Sequence, residues 1–434
     1  MTTPANLRLS PCGSAKRALA GATVGFFIGF GGVSLFGPTA HSFVQAMKLD
    51  PTRVGFLVAI PMLTGSLLRI PFGAWVDRNG GKLPFLTLLL ASLVGIAGLW
   101  YMLLALYPDR LTPEHYPLLL LFGALGGCGI ASFSVGIGQV SYWFPKAEQG
   151  RALAIYAGLG NTSPGLVAIV LPLIIAAGGL WFGYLISVGI VIAGIVLYAV
   201  LGFNAPFFQL RAGGLSVEEA SAKAKELGQE LFPAGSMTRT LLESAARWRT
   251  WALVALYFTS FGGFLALTAW LPTFWTDFYA TPHWATIALT AGFSLLASVI
   301  RVPGGSLSDR VGGERVAAAS YTVLLIGAAL MSFSSRLGWT VGGEFLVAVG
   351  MGVANAAVFK LVPLYVPDAV GGAAGWVGGL GALGGFAVPP VLGAIAQSMG
   401  TVGYARGYIV YIGLALVSLL LTAVLYLGRN RSAR

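Results

Sequence analysis

The chain has 434 residues, of which 56% are hydrophobic and only 9% are charged. This composition excludes an ordinary water-soluble globule and predicts a polytopic membrane protein whose surroundings are a lipid bilayer. The formal net charge of +11 does not indicate a nucleic-acid partner. Most of the basic residues lie in short loops between apolar segments, where they report the orientation of the chain in the membrane.

Twelve apolar segments of spanning length follow one another along the chain. They lie near residues 17–38, 54–76, 83–106, 117–143, 151–177, 180–202, 250–275, 284–308, 314–335, 339–362, 371–397 and 404–427. The longest polar stretch follows the sixth segment. The sequence therefore predicts an all-α integral membrane protein with two pseudo-symmetric bundles of six helices, at 1–202 and 250–434, joined by a cytoplasmic linker at 203–249.

The lysines and arginines of the loops are concentrated on one side of the membrane. Only five lie in loops on the other side, namely Lys48, Arg53, Arg110, Arg336 and Arg406. This imbalance predicts that both termini are cytoplasmic. As a location we expect the inner membrane of a bacterial-type cell. On the cytoplasmic side, Ser216 and Glu219 of the linker have the spacing of a capping box and predict a short amphipathic helix over 220–231.

The second segment carries a charge deep inside its apolar run. Arg69 precedes Asp77, where the segment leaves the membrane, by eight residues. At about 1.5 Å per residue, Arg69 lies about 12 Å inside a hydrocarbon core about 30 Å thick. An arginine at that depth costs about 2.5–3.5 kcal/mol on insertion scales, so we expect it to face the protein interior and to meet an anion, a carbonyl or water.

The same pattern returns in the eighth segment, 232 residues later. Arg301 again stands eight residues before an aspartate, Asp309, and the Asp77-Arg78 turn has its twin in Asp309-Arg310. The chain is therefore a duplication that places two guanidinium groups at one depth in two halves. No Asp or Glu occurs in the spans at that depth.

Two glycine-rich stretches occupy corresponding places in the fifth and eleventh segments. The first runs from Gly158 through Gly160 and Asn161 to Gly165, and the second runs from Gly375 to Phe386. Both are too poor in helix formers to face lipid, so we expect them to line another helix or a cavity.

The residue types that enzymes and metal sites need are sparse. The histidines are His41, His115 and His283, all near loops on the side away from the termini, and the cysteines are Cys12 and Cys128. They form neither a nucleophile–base pair nor a set of metal ligands. We therefore expect no enzyme activity, no metal and no cofactor.

Together these motifs resemble a known family. The loops that begin at Asp77 and Asp309 are similar to the signature loop of the major facilitator superfamily. The two buried arginines and the two glycine stretches resemble the nitrate/nitrite porter family within it. The match departs from the family signature at Ser163-Pro164, which replaces two glycines, and at Ala382, which replaces an asparagine.

The resemblance implies a major facilitator fold, a transport function and a set of functional residues. The substrate residues that it implies are Arg69, Arg301, Tyr257, Phe133, Phe261 and Asn161. The gating and signature residues that it implies are Gly158, Gly160, Gly379, Gly381, Gly384, Gly385, Asp77, Arg78, Asp309 and Arg310.

Nitrate and nitrite are small planar anions that match the paired donors of a guanidinium group. Two arginines facing each other would clamp one such anion, with Phe133 and Phe261 against its flat face and Tyr257 as a hydroxyl donor. Without an anion the two cations repel each other, so an empty site should resist closing. The sequence thus favours exchange of nitrate for nitrite by a monomeric carrier working by alternating access.

Three alternatives stay open at this point. Proton-coupled nitrate uptake or nitrite export would need a titratable group, for which His41, Glu344 and Lys360 are the candidates near spans. Each also fits an interfacial or snorkelling side chain. A carrier of another small organic anion and a nitrate sensor that does not transport are the other two.

Overall fold

The computed structural model describes residues 11–233 and 237–432. Within these residues the chain contains no strand and has twelve helical spans long and apolar enough to cross a membrane. They are Ala15–Met47, Pro51–Asn79, Lys82–Leu106, Pro113–Trp143, Lys146–Gly178, Leu180–Leu201, Trp248–Tyr279, His283–Val311, Gly313–Phe333, Leu337–Tyr365, Pro367–Met399 and Thr401–Arg429. The all-α prediction with twelve spans is confirmed, and each predicted segment overlaps one of these spans.

Several spans consist of two or three helical pieces. The second is Pro51–Leu67 and Arg69–Asn79, the eighth is His283–Val299 and Arg301–Val311, and the fifth is Lys146–Asn161 and Ser163–Gly178. The first comprises Ala15–Phe30, two short 3₁₀ turns and Ala40–Met47, and the fourth comprises Tyr116–Gly127, Cys128–Ala131 and Ser132–Trp143. The eleventh comprises Val370–Leu380, Gly381–Leu383 and Gly384–Met399, and the twelfth comprises Thr401–Arg406 and Ile409–Ser432.

Proline explains three of these breaks. Pro71, Pro303 and Pro164 each lie two or three residues after the interruption in the second, eighth and fifth spans. Proline has no N–H to donate to the carbonyl four residues earlier, and its ring pushes that carbonyl aside, so the helix is interrupted there. The breaks in the second and eighth spans therefore fall at Arg69 and Arg301, and each arginine begins the next helical piece.

The seventh span contains a π-helical segment, Phe258–Gly262, between Trp248–Tyr257 and Gly263–Tyr279. The wider turn of a π segment inserts a residue into the helix and turns the side chains that follow it. Here it sets the direction of Phe261 relative to Tyr257. Among the twelve spans the seventh is also the most buried within the protein.

The two halves pack closely at the end of the bundle away from the chain termini, which we call the far end. The contacts join the first span to the seventh and the second to the eleventh, at positions without side chains. A Cβ at Gly37 would lie 2.7 Å from the Ala269 carbonyl oxygen, and one at Gly55 would lie 2.5 Å from that of Pro389. Glycine at these places lets the backbones of the two halves come into contact at the far end.

The linker between the halves contains three short helices, Pro206–Ala212, Val217–Glu226 and Met237–Ala245. The capping box that the sequence suggested is formed, because Glu219 N donates to Ser216 Oγ and Ser216 N donates to Glu219 Oε2. The hydrogen bonds from Ser216 hold the pKa of the Glu219 carboxyl below its usual value. This helix ends at Glu226 rather than at residue 231.

Candidate anion site between Arg69 and Arg301

Arg69 lies between the two halves with its side chain almost completely buried. Its Nε donates to the Gly65 carbonyl oxygen at 3.0 Å, and its Nη1 donates to the Gly378 carbonyl oxygen of the eleventh span at 3.1 Å. Its Nη2 is buried and has no hydrogen-bond partner. Both partners are neutral carbonyls, so they orient the guanidinium group without cancelling its charge.

Arg301 is the counterpart in the second half and is partly buried. Its Nη1 is also buried without a hydrogen-bond partner. Among the described residues neither Arg69 nor Arg301 takes part in an ion pair. The structure therefore holds two buried N–H donors on two cations, in a place where an unmade hydrogen bond is costly.

Phe261 is in contact with both guanidinium groups. The Cζ atom of Arg69 lies 5.1 Å from the centroid of the Phe261 ring, and that of Arg301 lies 6.0 Å from it. The two Cζ atoms are therefore no more than about 11 Å apart. Cation–π contact with one shared ring fixes both cations around the same small volume.

Phe133 completes the aromatic wall on the side of the first half. Arg69 Cζ lies 5.1 Å from the Phe133 ring centroid, and the rings of Phe133 and Phe261 are nearly parallel, with centroids 6.2 Å apart. A planar anion held face-on between two rings needs about 7 Å, since each carbon contact takes about 3.5 Å. The rings must therefore separate by about 1 Å to admit an anion between them.

Tyr257 and Asn161 bring further unused polar atoms to this region. Tyr257 is fully buried and stacks on Phe261 at 5.0 Å, and its hydroxyl lies beside the Arg301 guanidinium group but forms no hydrogen bond of good geometry. Asn161 is 2% exposed and its Oδ1 has no hydrogen-bond partner. The backbone oxygen of Asn161 accepts from Ser298 Oγ at 2.8 Å, which joins the fifth span to the eighth.

Sequence reasoning missed two serines beside these residues. Ser66, three residues before Arg69, and Ser132, next to Phe133, are fully buried, and their hydroxyl groups have no hydrogen-bond partner. The duplication could have identified Ser66, because the residue 232 positions later is also a serine, Ser298. Ser132 had no such signal.

The signature glycines are contact points between helices. A Cβ at five of them would come within 2.0–2.9 Å of a neighbour, namely Gly160 against Phe26, Gly379 against Ile70, Gly381 against Tyr257, Gly384 against Phe258 and Gly385 against Leu265. Gly158 has more room, with Val302 at 3.9 Å. The eleventh span thus packs on the second span and on the π segment of the seventh only because it lacks side chains there.

The two signature loops make different contacts, although their sequences are twins. Asp77 accepts a hydrogen bond of 2.6 Å from the Tyr142 hydroxyl of its own half. Asp309 forms an ion pair with Lys360, whose Nζ also donates to the Ser308 carbonyl oxygen. The contacts of both carboxylates are therefore with side chains of the fourth and tenth spans rather than with a helix N-terminus. Arg78 and Arg310 are exposed.

Glu344 differs most from the sequence-based interpretation. The sequence left it either as a titratable candidate or as an interfacial side chain, and it is fully buried in the protein. Its carboxyl group lies beside the Trp275 indole nitrogen and near the Tyr408 hydroxyl group, and none of these groups forms a hydrogen bond of good geometry. The interfacial interpretation of Glu344 is therefore wrong. Lys360 is not a free snorkelling chain either, because it pairs with Asp309.

Comparison with known proteins gives three findings. The sequence model of the Major Facilitator Superfamily matches residues 22–289 and 273–434. The Probable nitrate/nitrite antiporter NarK1 of Thermus thermophilus is 32% identical over 413 residues, which are 87% of this chain and 84% of that protein. The Probable nitrate/nitrite transporter NarK2 of Mycobacterium tuberculosis is 31% identical over 413 residues, which are 92% and 93% of the two chains.

Among solved structures, the xylose transporter XylE of E. coli in a partially occluded inward-open conformation superposes with a TM-score of 0.70. The alignment covers 94% of this chain and 98% of XylE, at 14% sequence identity. At this identity the likeness concerns the fold, and it agrees with a duplicated bundle of twelve spans.

Proposed function

The chain belongs to the nitrate/nitrite porter family of the major facilitator superfamily, and we propose that it exchanges nitrate for nitrite with the anion clamped between Arg69 and Arg301. The protein is a multi-pass membrane transporter and not an enzyme. We also propose an inner-membrane location with both termini cytoplasmic, as the bias of the loop arginines and lysines suggests.

The observation that carries the proposal is the pair of unused donors, Arg69 Nη2 and Arg301 Nη1, on two cations without an acidic partner among the described residues. A planar oxyanion between them would accept a hydrogen bond from each guanidinium group and from the Tyr257 hydroxyl. The hydrogen bonds from the two guanidinium groups are charge-assisted and are about twice as strong as bonds between neutral groups. A compact planar anion also fits a site that the rings of Phe133 and Phe261 keep narrow.

The charges of Arg69 and Arg301 give a physical reason for exchange of one anion for another. Even at the upper limit of about 11 Å, the two unit charges repel each other by about 1.5 kcal/mol at an effective dielectric constant of about 20, and by more at shorter separations. A monoanion between them turns this repulsion into two attractions. Since Arg69 and Arg301 belong to different halves, the halves can rock past each other with the anion bound and are held apart without it.

Flux measurements in reconstituted vesicles test the exchange. We expect rapid uptake of labelled nitrate into proteoliposomes loaded with nitrite, and little uptake into empty ones. Nitrite should compete with nitrate, whereas lactate, oxalate and phosphate should not. Rapid uptake into empty vesicles that increases with an imposed proton gradient would contradict exchange, and competition by the organic anions would contradict the substrate assignment.

The burial of Glu344 favours a second candidate, proton-coupled nitrate uptake through the same arginine site. A buried carboxyl group without a counter-ion is a possible proton carrier, because an isolated charge is costly there. The same vesicle experiment distinguishes the two functions, since only the coupled carrier would accumulate nitrate in empty vesicles when the outside is made acidic.

A further inference from the structure

A cavity of about 250 Å³ opens between the two halves at the far end of the bundle. We call it the far-end cavity. Its wall is formed by the first, fifth, seventh and eighth spans and includes His41, Pro172, Thr273, His283, Thr286 and Thr290. Since helices of both halves line it, this cavity lies where a pathway to the arginine site must open at the far end.

A stripe of polar side chains leads from this cavity along the eighth span. His283, Thr290, Ser294 and Arg301 are separated by seven, four and seven residues. At about 100° per residue the first three positions fall within about 40° of one another around the helix His283–Val299, and Arg301 begins the next piece of the same span. Along the axis, Thr290 and Ser294 are about 6 Å apart, and Ser294 and Arg301 about 10 Å apart. The stripe thus joins the wall of the far-end cavity to the arginine site.

The hydroxyl groups of Thr290 and Ser294 are buried and have no hydrogen-bond partner, like those of Ser66 and Ser132 near the arginines. Thr290 is 2% exposed and Ser294 is fully buried. Other buried hydroxyl groups, such as those of Thr268 and Thr422, donate to the carbonyl four residues earlier. The same kind of carbonyl precedes Thr290 and Ser294 by four residues, but their hydroxyl groups do not bond to it.

The duplicated fold does not require hydroxyl groups at these places. The positions in the second span that correspond to Thr290 and Ser294 are Val58 and Met62, both fully buried. Apolar side chains, a valine matched in size to Thr290 and a larger methionine in place of Ser294, therefore fit the equivalent helix in the other half. The polar pair is a property of the eighth span alone, next to the far-end cavity.

We propose that Thr290 and Ser294 form a stepping site at which a small planar oxyanion is held by hydroxyl donors on its way between the far-end cavity and Arg301. The inference rests on the proposed function, because the anion is the same one. In this structure Thr290 borders the cavity and Ser294 lies one turn deeper, so separation of the halves at the far end would uncover the two hydroxyl groups in sequence.

Charged and titratable groups around the cavity are compatible with this role. His41 bonds to Gln45, and His283 starts the stripe. The carboxylate of Asp277 is also in the wall and would repel an anion, but it accepts a hydrogen bond of 3.0 Å from the Tyr404 hydroxyl. An anion that passes Asp277 would therefore accept hydrogen bonds from the hydroxyl groups on the eighth span.

The test measures the rate of nitrate uptake separately from the equilibrium binding of nitrate at Arg69 and Arg301. Thr290→Val and Ser294→Ala remove one donor each while keeping side-chain size or reducing it slightly. We expect each to lower the rate constant for uptake of external nitrate, kcat/KM, about fivefold to tenfold, the equivalent of one hydrogen bond. The equilibrium Kd for nitrate, measured in detergent by calorimetry, should stay within about twofold because the arginine site is untouched.

Two further variants control for packing. Thr422→Val removes a buried hydroxyl that bonds to its own helix in the twelfth span, and its uptake should equal that of the unsubstituted protein. Thr290→Ser keeps a hydroxyl group at this position but lacks the methyl group, so its uptake should be close to that of the unsubstituted protein. If Thr290→Ser fails as badly as Thr290→Val, or if the double variant Thr290→Val with Ser294→Ala transports normally, the stepping site is wrong.

Failure of the stepping site can be told from failure of the proposed function. If the unsubstituted protein neither binds nor transports nitrate, both the substrate assignment and the stepping site are wrong. If the unsubstituted protein transports nitrate and the double variant does so equally well, only the stepping site is overturned.

Discussion

Replacing Arg69 by lysine tests whether the clamp depends on the shape of the guanidinium group or only on its charge. Arg69 uses Nε and Nη1 for the carbonyl oxygens of Gly65 and Gly378, and its Nη2 has no hydrogen-bond partner. Lysine brings a single nitrogen atom on a flexible chain and cannot hold both carbonyls while presenting a planar pair of donors. Lysine therefore keeps the positive charge but loses the planar pair of N–H donors.

The expected magnitude follows from the contacts. Loss of one hydrogen bond from a charged donor to the anion costs about 1.5–3 kcal/mol, which corresponds to a Kd for nitrate about 10–150 times higher. Arg69→Gln removes the charge as well. A guanidinium group and an anion about 4 Å apart attract by about 4 kcal/mol at an effective dielectric constant of 20, so its Kd should rise about a thousandfold.

Calorimetric binding of nitrate and exchange flux in proteoliposomes would measure these effects. Arg336→Lys is a matched control, because Arg336 is exposed in the loop before the tenth span and should tolerate the change. Arg301→Lys should behave like Arg69→Lys. If both lysine variants bind nitrate within about threefold of the unsubstituted protein, the fork geometry is unnecessary and our reasoning about paired donors is refuted.

Three other substitutions test separate parts of the mechanism. Gly384→Ala would place a Cβ 2.6 Å from the Phe258 carbonyl oxygen and should lower the free energy of unfolding by about 1–3 kcal/mol, seen as a lower Tm, whereas Gly371→Ala, with open space around it, should leave the Tm unchanged. Glu344→Gln should keep nitrate/nitrite exchange and abolish any uptake driven by a proton gradient; loss of exchange in a well-folded variant would place Glu344 in the exchange cycle itself. Phe261→Ala removes the ring that contacts both cations and should weaken nitrate binding about threefold to thirtyfold while allowing larger anions such as phosphate to compete; unchanged affinity and selectivity would show that the ring does not shape the site.

The breaks at Arg69 and Arg301 show how local sequence positions a charge inside a membrane. In both halves the proline two residues after the arginine interrupts the helix, and the arginine begins the next piece. Interrupted backbone is tolerated at this depth only where it is buried in protein or lines a cavity. The interruptions and the arginines therefore belong to one feature, a polar centre shared by two apolar bundles.

The sequence by itself determined the features that depend on local composition. Hydropathy predicted the twelve spans, the offset of 232 residues revealed the duplication, and the distance from Asp77 indicated the depth of Arg69. It also suggested the capping box at Ser216, which the linker helix contains. Such features could be predicted because rise per residue, insertion cost and capping act over one helix or one turn.

Only the tertiary structure decided which side chains meet. The contact from Arg69 to Gly378 joins residues 309 positions apart, and the contact of Phe261 with both arginines depends on a π segment that the hydropathy pattern does not reveal. Glu344 was misjudged for the same reason. Its position near a helix end suggested water, but the packing of Trp275 and Tyr408 around it excludes water. Partners of this kind are chosen by how whole helices pack, and a periodic pattern along one helix contains no information about which neighbour will cover it.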